Sequence, residues 1–147
     1  MALRLGDDAK FYYNSATHAT PTWVEVSNVK SLSLSEEDEE VDVTVRGSNK
    51  FKEYIQGHTD VTVDFEMLDD DSDPAYIAFR AAKQGRTGIE VLVLNGPDAT
   101  PGNDGVRFFA MVKTFSRSEN LSEAIMREVS LRPLKNADSP PTYYTST

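Results

Sequence analysis

The sequence predicts a mainly β protein, an antiparallel β-sandwich or barrel with one lateral α-helix. Residues 41–46 and 61–67 alternate apolar and polar side chains, which is typical of strands with one buried face. About residues 74–84 carry the signals of a helix: carboxylates before it, Pro74 at its start and Gly85 after its end. One helix beside six or seven strands therefore indicates a small β-sandwich or barrel.

The chain has 147 residues, the size of one domain, and we expect a single domain over residues 1–147. It carries 24 acidic and 15 basic residues, and this net charge of −9 argues against binding of nucleic acid through a basic surface. Cysteine is absent, which excludes thiolate zinc sites and disulfides. The sequence has no apolar run of membrane-spanning length and no secretory signal, so we expect an intracellular origin and no membrane insertion.

The first 22 residues predict an extended arm, because they show no helical period and Pro21 favours an extended backbone before it. Four aromatic residues are candidate anchors of this arm: Phe11, Tyr12, Tyr13 and Trp23. Residues 23–34 are rich in β-forming side chains, and we expect a bulge near Asn28.

The acidic run Glu36–Glu40 predicts a loop, after which the alternating residues 41–46 form a strand. The polar segment 47–58 then leads to the strand at 61–67. The two strands are expected to form a hairpin with a long connection that carries exposed side chains.

After the helix, residues 89–94 predict a short strand that is apolar enough to be buried on both faces. Residues 95–105 contain two prolines and two Gly-containing turns, which indicate a loop. Strands are predicted at 106–112 and at about 123–132, where Pro133 ends the last one. A polar C-terminal tail is expected at about 134–147.

No pattern in the sequence indicates catalysis or metal binding. His18 and His58 lie in polar segments, where we expect solvated loop side chains, and there is no nucleophile elbow or phosphate-binding glycine loop. The acidic run 69–73 lacks the glycine and the terminal glutamate of an EF-hand loop, and the electrostatics of a helix N-terminus account for it. We therefore expect no enzyme activity, no cofactor and no metal site.

Several stretches of the chain carry a resemblance to a known family. They are Tyr12-Tyr13-Asn14, the segment from Ala19 to Lys30 with Trp-Val-Glu-Val at its centre, the segment from Asp60 to Met67, Phe115-Ser116-Arg117-Ser118-Glu119, and Leu131-Arg132-Pro133. Together they resemble the major tail tube proteins of long-tailed (siphovirus-type) bacteriophages, over nearly the whole chain. The resemblance brings no catalytic motif with it.

This resemblance implies a structural virion protein whose hexameric rings stack into a hollow tail tube that conducts genomic DNA to the host. The implied partners are other copies of the chain, a tape measure protein, tail terminator and tail tip proteins, and DNA that passes through the lumen without specific binding. The implied location is the virion tail, assembled in the host bacterial cytoplasm. Two alternatives stay open: the inner tube of a contractile or phage-derived particle, and an isolated β-sandwich that binds carbohydrate or protein.

A tube that conveys DNA is expected to have an acidic or neutral lumen, because a basic wall would bind the phosphates and resist transit. The lumen-lining candidates are polar side chains of the predicted strands: Asp42, Thr44, Thr62, Asp64, Glu66, Glu128 and Ser130. The candidates for contacts between rings belong to the acidic run and the segment after it: Glu36, Glu37, Asp38, Glu39, Glu40, Lys50, Phe51, Lys52 and Tyr54. We expect the acidic run to meet Lys50 and Lys52 of the next ring through charge complementarity.

Overall fold

The computed structural model describes residues 9–99, 101–119, 121–122, 124–135 and 141–146. Within these ranges the chain forms eight strands and one α-helix, and every strand pair is antiparallel. The strands are β1 (Lys10–Asn14), β2 (Trp23–Glu25), β3 (Val29–Asp42), β4 (Tyr54–Leu68), β5 (Ile89–Leu94), β6 (Asp104–Ser118), β7 (Met126–Pro133) and β8 (Thr142–Thr145). Helix α1 spans Pro74–Gly85. The predicted class, an antiparallel β protein with one helix, is confirmed.

Strand β6 divides the sheet into two halves. Its first part, as far as Ala110, pairs with β5, and its second part, from Ala110 to Ser118, pairs with β7. Half-sheet A therefore contains β2, β1, β5 and the first part of β6, with β8 beside β6 at residues 104–107. Half-sheet B contains the second part of β6, followed by β7, β4 and β3.

The hydrophobic core lies between the two half-sheets and under helix α1. The apolar residues of the alternating segment 61–67 are all buried, as their period of two predicts. Phe65 of this segment contacts Phe11 of β1, with ring centroids 5.1 Å apart, and Phe79 of the helix, at 5.5 Å. The helix therefore completes the core by contributing Phe79 to both half-sheets.

Helix α1 begins and ends close to the predicted residues. The Asp73 side chain caps its N-terminus by accepting a hydrogen bond from the Ala75 N–H at 3.1 Å, and Pro74 occupies the first helical position. The left-handed backbone of Arg86, with a φ of 55°, ends the helix. No helix in the described ranges has the length and apolar character needed to cross a membrane.

Strand β5 is buried on both faces, as predicted for residues 89–94. All six of its side chains are buried, including that of Glu90. Alternation along the strand sends Val91 and Val93 into the core and places Leu92 and Leu94 on the opposite face.

The N-terminal region contributes two strands to the sheet. Lys10–Asn14 forms β1, which lies between β2 and β5, and Phe11 and Tyr13 are buried in the core. Within the extended arm expected over residues 1–22, these five residues are extended and are paired in the sheet. Two inward-facing aromatic residues are too few to produce a recognisable strand period. Residues 1–8 lie outside the described ranges.

The C-terminal region also joins the sheet. Thr142–Thr145 forms β8 and pairs with the first part of β6, and Ser146 donates its backbone N–H to the carbonyl of Asn103. Within the polar tail expected at about 134–147, these four residues form a strand, since the ladder depends on backbone groups and not on apolar side chains. Residues 136–140 and 147 lie outside the described ranges.

Strands β3 and β4 continue well beyond the core as a two-stranded hairpin. The acidic run Glu36–Glu40, predicted as a loop, lies within β3 and pairs with β4, and the ladder ends only at Asp42 and Tyr54. The strand predicted at 41–46 stops at Asp42, so the connection is 43–53 and not 47–58. We call residues 35–60 the extension; nearly all of its side chains are exposed, which lets water hydrate the closely spaced carboxylates.

Candidate functional site

Half-sheet B presents a polar face on the side opposite the core. Two rows of directly opposed residues cross its four strands: Ser33, Asp64, Ser130 and Thr114 in one, and Ser31, Glu66, Glu128 and Ser116 in the other. Their chain neighbours Val63, Phe65 and Val129 are buried in the core, so the rows face away from it. All of these residues except Ser116 line a shallow depression of about 460 Å³.

The polar face is acidic because its carboxylates lack basic partners. In the described part of the chain, Asp64, Glu66 and Glu128 form no ion pair. Arg132, the next alternate residue after Ser130, is ion-paired with Asp60. Nowhere in the described ranges do three or more His, Asp or Glu side chains converge as ligands for a metal ion.

The structure brings together five of the seven lumen-lining candidates. Thr62 pairs with Ser35 beside the two rows, and the rows contain the other four: Asp64, Glu66, Glu128 and Ser130. Asp42 and Thr44 lie apart, at the far end of the extension, where Asp42 accepts a hydrogen bond from the Thr44 N–H at 2.9 Å. Hydrogen bonds from Thr44 hold the pKa of Asp42 below its ordinary value.

The polar face also contains serine and threonine residues that are not among the predicted lumen-lining candidates. Ser31, Ser33 and Ser35 alternate with Leu32 and Leu34 along β3, a pattern that could have identified them. On β6, a register shift between Val112 and Thr114 interrupts the alternation. The contribution of Thr114 and Ser116 therefore follows only from the observed strand pairing.

All nine candidates for contacts between rings lie on the extension. Glu36–Glu40 lie in the second half of β3, where Asp38 accepts hydrogen bonds from Gln56 and Thr59 at 2.6 Å each. Lys50, Phe51 and Lys52 lie in the connecting turn, and Tyr54 begins β4. Apolar residues near the turn are exposed to solvent, and the exposed fraction is 66% for Val45, 73% for Phe51 and 55% for Ile55. The extension is therefore acidic in its middle and both apolar and basic at its tip.

The four candidate arm anchors hold β1 and β2 in the sheet. Phe11 and Tyr13 belong to the core, and the Tyr12 hydroxyl accepts a hydrogen bond from the Asp98 N–H at 3.0 Å. The Arg107 guanidinium lies 5.0 Å from the centroid of the Trp23 ring, and the Tyr144 ring meets it edge-on at 6.5 Å. Arg107 and Tyr144 thus hold the half-buried Trp23 ring against half-sheet A.

Glu90 forms a buried polar cluster that no motif in the sequence indicates. It is 5% exposed, accepts hydrogen bonds from Arg107 at 2.9 Å and Asn14 at 2.8 Å, and lies 2.6 Å from His18 Nδ1. Burial raises the pKa of Glu90, but the hydrogen bonds from Arg107, His18 and Asn14 outweigh it and lower that pKa. His18 lies in a loop with 38% of its side chain exposed, as predicted in part, but its ring contacts Glu90 and is not free in solvent. The cluster attaches the loop after β1 to strands β5 and β6.

No family model and no curated protein matches the sequence. Solved structures do match the fold. The SPP1 tail tube, determined by solid-state NMR and cryo-EM, superposes with a TM-score of 0.76 at 14% identity over 97% of this chain and 80% of that chain. A chain from the tail of an empty gene transfer agent (GTA) particle, refined with C6 symmetry, superposes with a TM-score of 0.75 at 12% identity over 99% of this chain and all of that chain.

A chain from the baseplate of the anti-feeding prophage is less similar, with a TM-score of 0.56 at 10% identity over 92% of this chain and 90% of that chain. At identities this low, a structural likeness establishes the fold and leaves function to be argued from the surfaces. The fold expected from the resemblance is confirmed. The chain has the fold of tail tube proteins.

Proposed function

We propose that the protein is a structural virion subunit whose hexameric rings stack into a hollow tail tube that conducts genomic DNA. The observation that carries the proposal is the likeness of nearly the whole chain to tail tube chains, one of them from a tail with C6 symmetry. The tube would belong to a virion tail assembled in the host bacterial cytoplasm. Its further partners would be a tape measure protein and the tail terminator and tail tip proteins.

The strand edges of half-sheet B support ring formation. In the described part of the chain, β3 pairs on one side only, with β4, and the last eight residues of β6 pair only with β7. Unpaired strand edges bind other strands readily. Three antiparallel pairings separate β3 from β6, so these two edge strands run in opposite directions. In a ring of like-oriented copies, β3 of one subunit can therefore pair antiparallel with β6 of the next.

If half-sheet B of each subunit pairs with that of its neighbours in the ring, the joined sheets form a wall large enough to enclose an aqueous channel. Six copies of the four strands in half-sheet B make a barrel of 24 strands. Barrels of roughly 16–18 strands already enclose a water-filled pore. A single chain has too few strands for such a pore, which is why the channel requires the ring.

The polar face of half-sheet B is the proposed lumen wall. The opposite face packs against half-sheet A and helix α1, so only the polar face is free to line a channel. Asp64, Glu66 and Glu128, which have no basic partner among the residues that the structure describes, would repel the phosphates of DNA and allow it to pass without binding. Thr62 and Ser130 share this wall, whereas Asp42 and Thr44 would line the lumen only where the extension continues it.

The extension is the part of the chain proposed to reach the adjacent ring. Its β4 side, Tyr54 to Asp60, projects roughly 20 Å beyond the core. Apolar side chains near its tip are exposed in the single chain, so their burial in a neighbouring ring would favour stacking. The nine inter-ring candidates named above all belong to this element.

Negative-stain electron microscopy of the purified protein tests the proposal. We expect hollow filaments of uniform diameter, either from the protein alone at high concentration or after addition of the tail tip complex of the same virion. An isolated β-sandwich that binds carbohydrate or protein would stay monomeric at every concentration. Monodisperse monomers under both conditions would contradict the tube.

A further inference from the structure

We infer that the acidic run Glu36–Glu40 pairs with Arg86 and Lys113 of the next subunit in the same ring, an inference that rests on the proposed tube. These two basic residues flank the free edge of β6, by which we mean the side of residues 111–118 that faces away from β7. On this inference the acidic run helps to close the ring and is not a contact between rings.

The strand register places the acidic run level with the point where the free edge begins. One row of directly paired residues crosses the four strands of half-sheet B: Leu34, Val63, Leu131 and Val112. Two residues further in the direction of the extension, β3 has reached Glu36 and β6 has reached Ala110. Ala110 is also the residue at which β5 begins to pair with β6, through Ile89. The free edge therefore starts where β5 stops covering β6.

A neighbouring β3 on this free edge would continue the line of β5. Strand β5 runs antiparallel to β6, and so would the neighbouring β3, so the two strands would point in the same direction. The C-terminal part of β3, which is the acidic run, would then approach the first residue of β5. Arg86 lies three residues before that first residue, in the left-handed turn that ends helix α1, with a φ of 55°.

Lys113 is the second basic residue beside this edge. It lies at the register shift between Val112 and Thr114 and is paired with no residue of β7. If the neighbouring β3 pairs a few residues further toward Ser118, the acidic run lies beside Lys113 instead of Arg86. Arg86 and Lys113 are exposed, and neither forms an ion pair with the residues that the structure describes.

Three carboxylates of the acidic run are available for such a contact. Glu36 and Asp38 already accept hydrogen bonds from side chains of their own chain. The exposed side chains of Glu37, Glu39 and Glu40 form no ion pair within the described ranges. Closely spaced like charges repel one another, so basic side chains from the next subunit would stabilise the ring and favour its assembly.

The two groups are too far apart to meet within one chain. Strands β7 and β4 separate β6 from β3, so Lys113 and the acidic run of the same subunit are at least roughly 14 Å apart. A direct bond between them in the tube therefore joins two subunits. A contact that repeats from subunit to subunit around a ring closes on itself, whereas a contact between stacked rings continues along the filament.

Carbodiimide crosslinking of unmodified tubes tests the contact, because this reagent joins a lysine amine directly to a carboxylate as an amide. We expect peptide mass spectrometry to find Lys113 joined to Glu37, Glu39 or Glu40. On a denaturing gel, the ladder of crosslinked species should end at the hexamer.

Two variants serve as matched controls for the crosslinking. Lys113→Arg keeps the charge but removes the amine, so its tubes should form normally and lose this crosslink. Arg86→Lys supplies an amine where the native guanidinium does not react, so it should add a second crosslink to the acidic run.

Charge reversal tests whether the contact assists assembly. Arg86→Glu with Lys113→Glu should slow tube growth by about tenfold at low salt, measured by light scattering, since complementary charges act mainly on association rates. Addition of Glu37→Lys with Glu39→Lys to that protein should restore most of the rate. Addition of Asp70→Lys with Asp71→Lys, which restores the same charge before helix α1, should not. Melting temperatures establish that each variant is folded.

The inference would be overturned by tubes in which Lys113 forms no crosslink to the acidic run, or by equal rescue from both lysine pairs. Crosslinks from the acidic run to Lys50 or Lys52 alone, with a ladder that continues past the hexamer, would instead assign the run to contacts between rings. In all of these cases the unmodified protein still forms tubes, so the proposed function stands. Failure of the unmodified protein to form any tube would overturn the function and the contact together.

Discussion

At the scale of single residues, Glu90 carries a buried carboxylate that three polar side chains contact. The buried charge of Glu90 is stabilised by Arg107, whose guanidinium donates hydrogen bonds to the Glu90 carboxylate and to the His18 carbonyl. Removal of one partner from a buried pair leaves the other charge uncompensated, at a cost of about 3 kcal/mol. We predict that Arg107→Met lowers the free energy of unfolding by this amount, as measured by urea denaturation. Lys113→Met, at an exposed position of the same strand, should change it by less than about 0.5 kcal/mol. Equal stability of the two variants would contradict the prediction.

The lowered pKa of Glu90 also predicts how stability depends on pH. A carboxyl group whose pKa is lower in the folded state contributes its full stabilisation above the unfolded-state pKa, near 4.3, and loses it as the pH falls through the folded-state pKa. Glu90→Gln should therefore be less stable than the unmodified protein at neutral pH, and the difference should shrink below about pH 4. Urea unfolding at a series of pH values measures this difference. A gap that stays constant down to about pH 3 would assign the stabilisation to another group.

At the scale of elements, the pairing of β5 with β6 requires a glycine at position 105. A Cβ atom there would lie 1.8 Å from the Val93 carbonyl oxygen, which no side-chain rearrangement relieves. We predict that Gly105→Ala separates the two strands and costs about 3 kcal/mol or more, measured by urea unfolding and far-UV circular dichroism. Gly47→Ala is the matched control, because a Cβ at that position meets nothing within 4 Å. Equal stability of the two variants would show that the strands adjust.

The sequence predicts those elements that bury at least one face. Residues 61–67 and 89–94 were identified because a buried face imposes a pattern of apolar side chains. Helix α1 was identified by its caps. The extension imposes no such pattern, since both of its faces meet water in the single chain, and an acidic strand there has the composition of a loop.

The candidate site was predictable to the extent that alternation reveals a polar face. Asp64 and Glu66 follow from their buried neighbours in β4, and the opposing Glu128 and Ser130 from the last strand. The cluster around Glu90 could not be predicted, because its partners lie 17 to 76 residues away along the chain. Only the pairing of β5 with β1 and β6 brings them together.

At the scale of the whole molecule, the proposed lumen predicts what a change of charge would do. Asp64→Lys with Glu128→Lys replaces two carboxylates per subunit, neither of them ion-paired within the described residues, by cations on the face opposite the core. Tubes should still form, but their lumen should now bind short duplex DNA in a salt-dependent manner.

The measurement for this variant is protection of the short duplex from nuclease inside the tubes. Glu25→Lys, on the exposed end of strand β2, is the control for added positive charge away from the polar face. DNA held by the control should stay sensitive to nuclease. Equal protection by both variants, or none by either, would place the polar face outside the channel.

The net charge of −9 has different implications for the single chain and for the proposed tube. Taken alone, it argues against nucleic acid as a partner. In the proposed tube, the same charge fits a protein that conveys DNA without holding it, with three carboxylates on the lumen wall and the acidic run on the extension.

The most direct test of the account is a cryo-EM reconstruction of the assembled tube. The proposed tube has six-fold symmetry, an inner wall of 24 antiparallel strands from half-sheet B, and Asp64, Glu66 and Glu128 facing the axis. A tube whose inner wall is half-sheet A, or whose outer surface carries these three carboxylates, would contradict it.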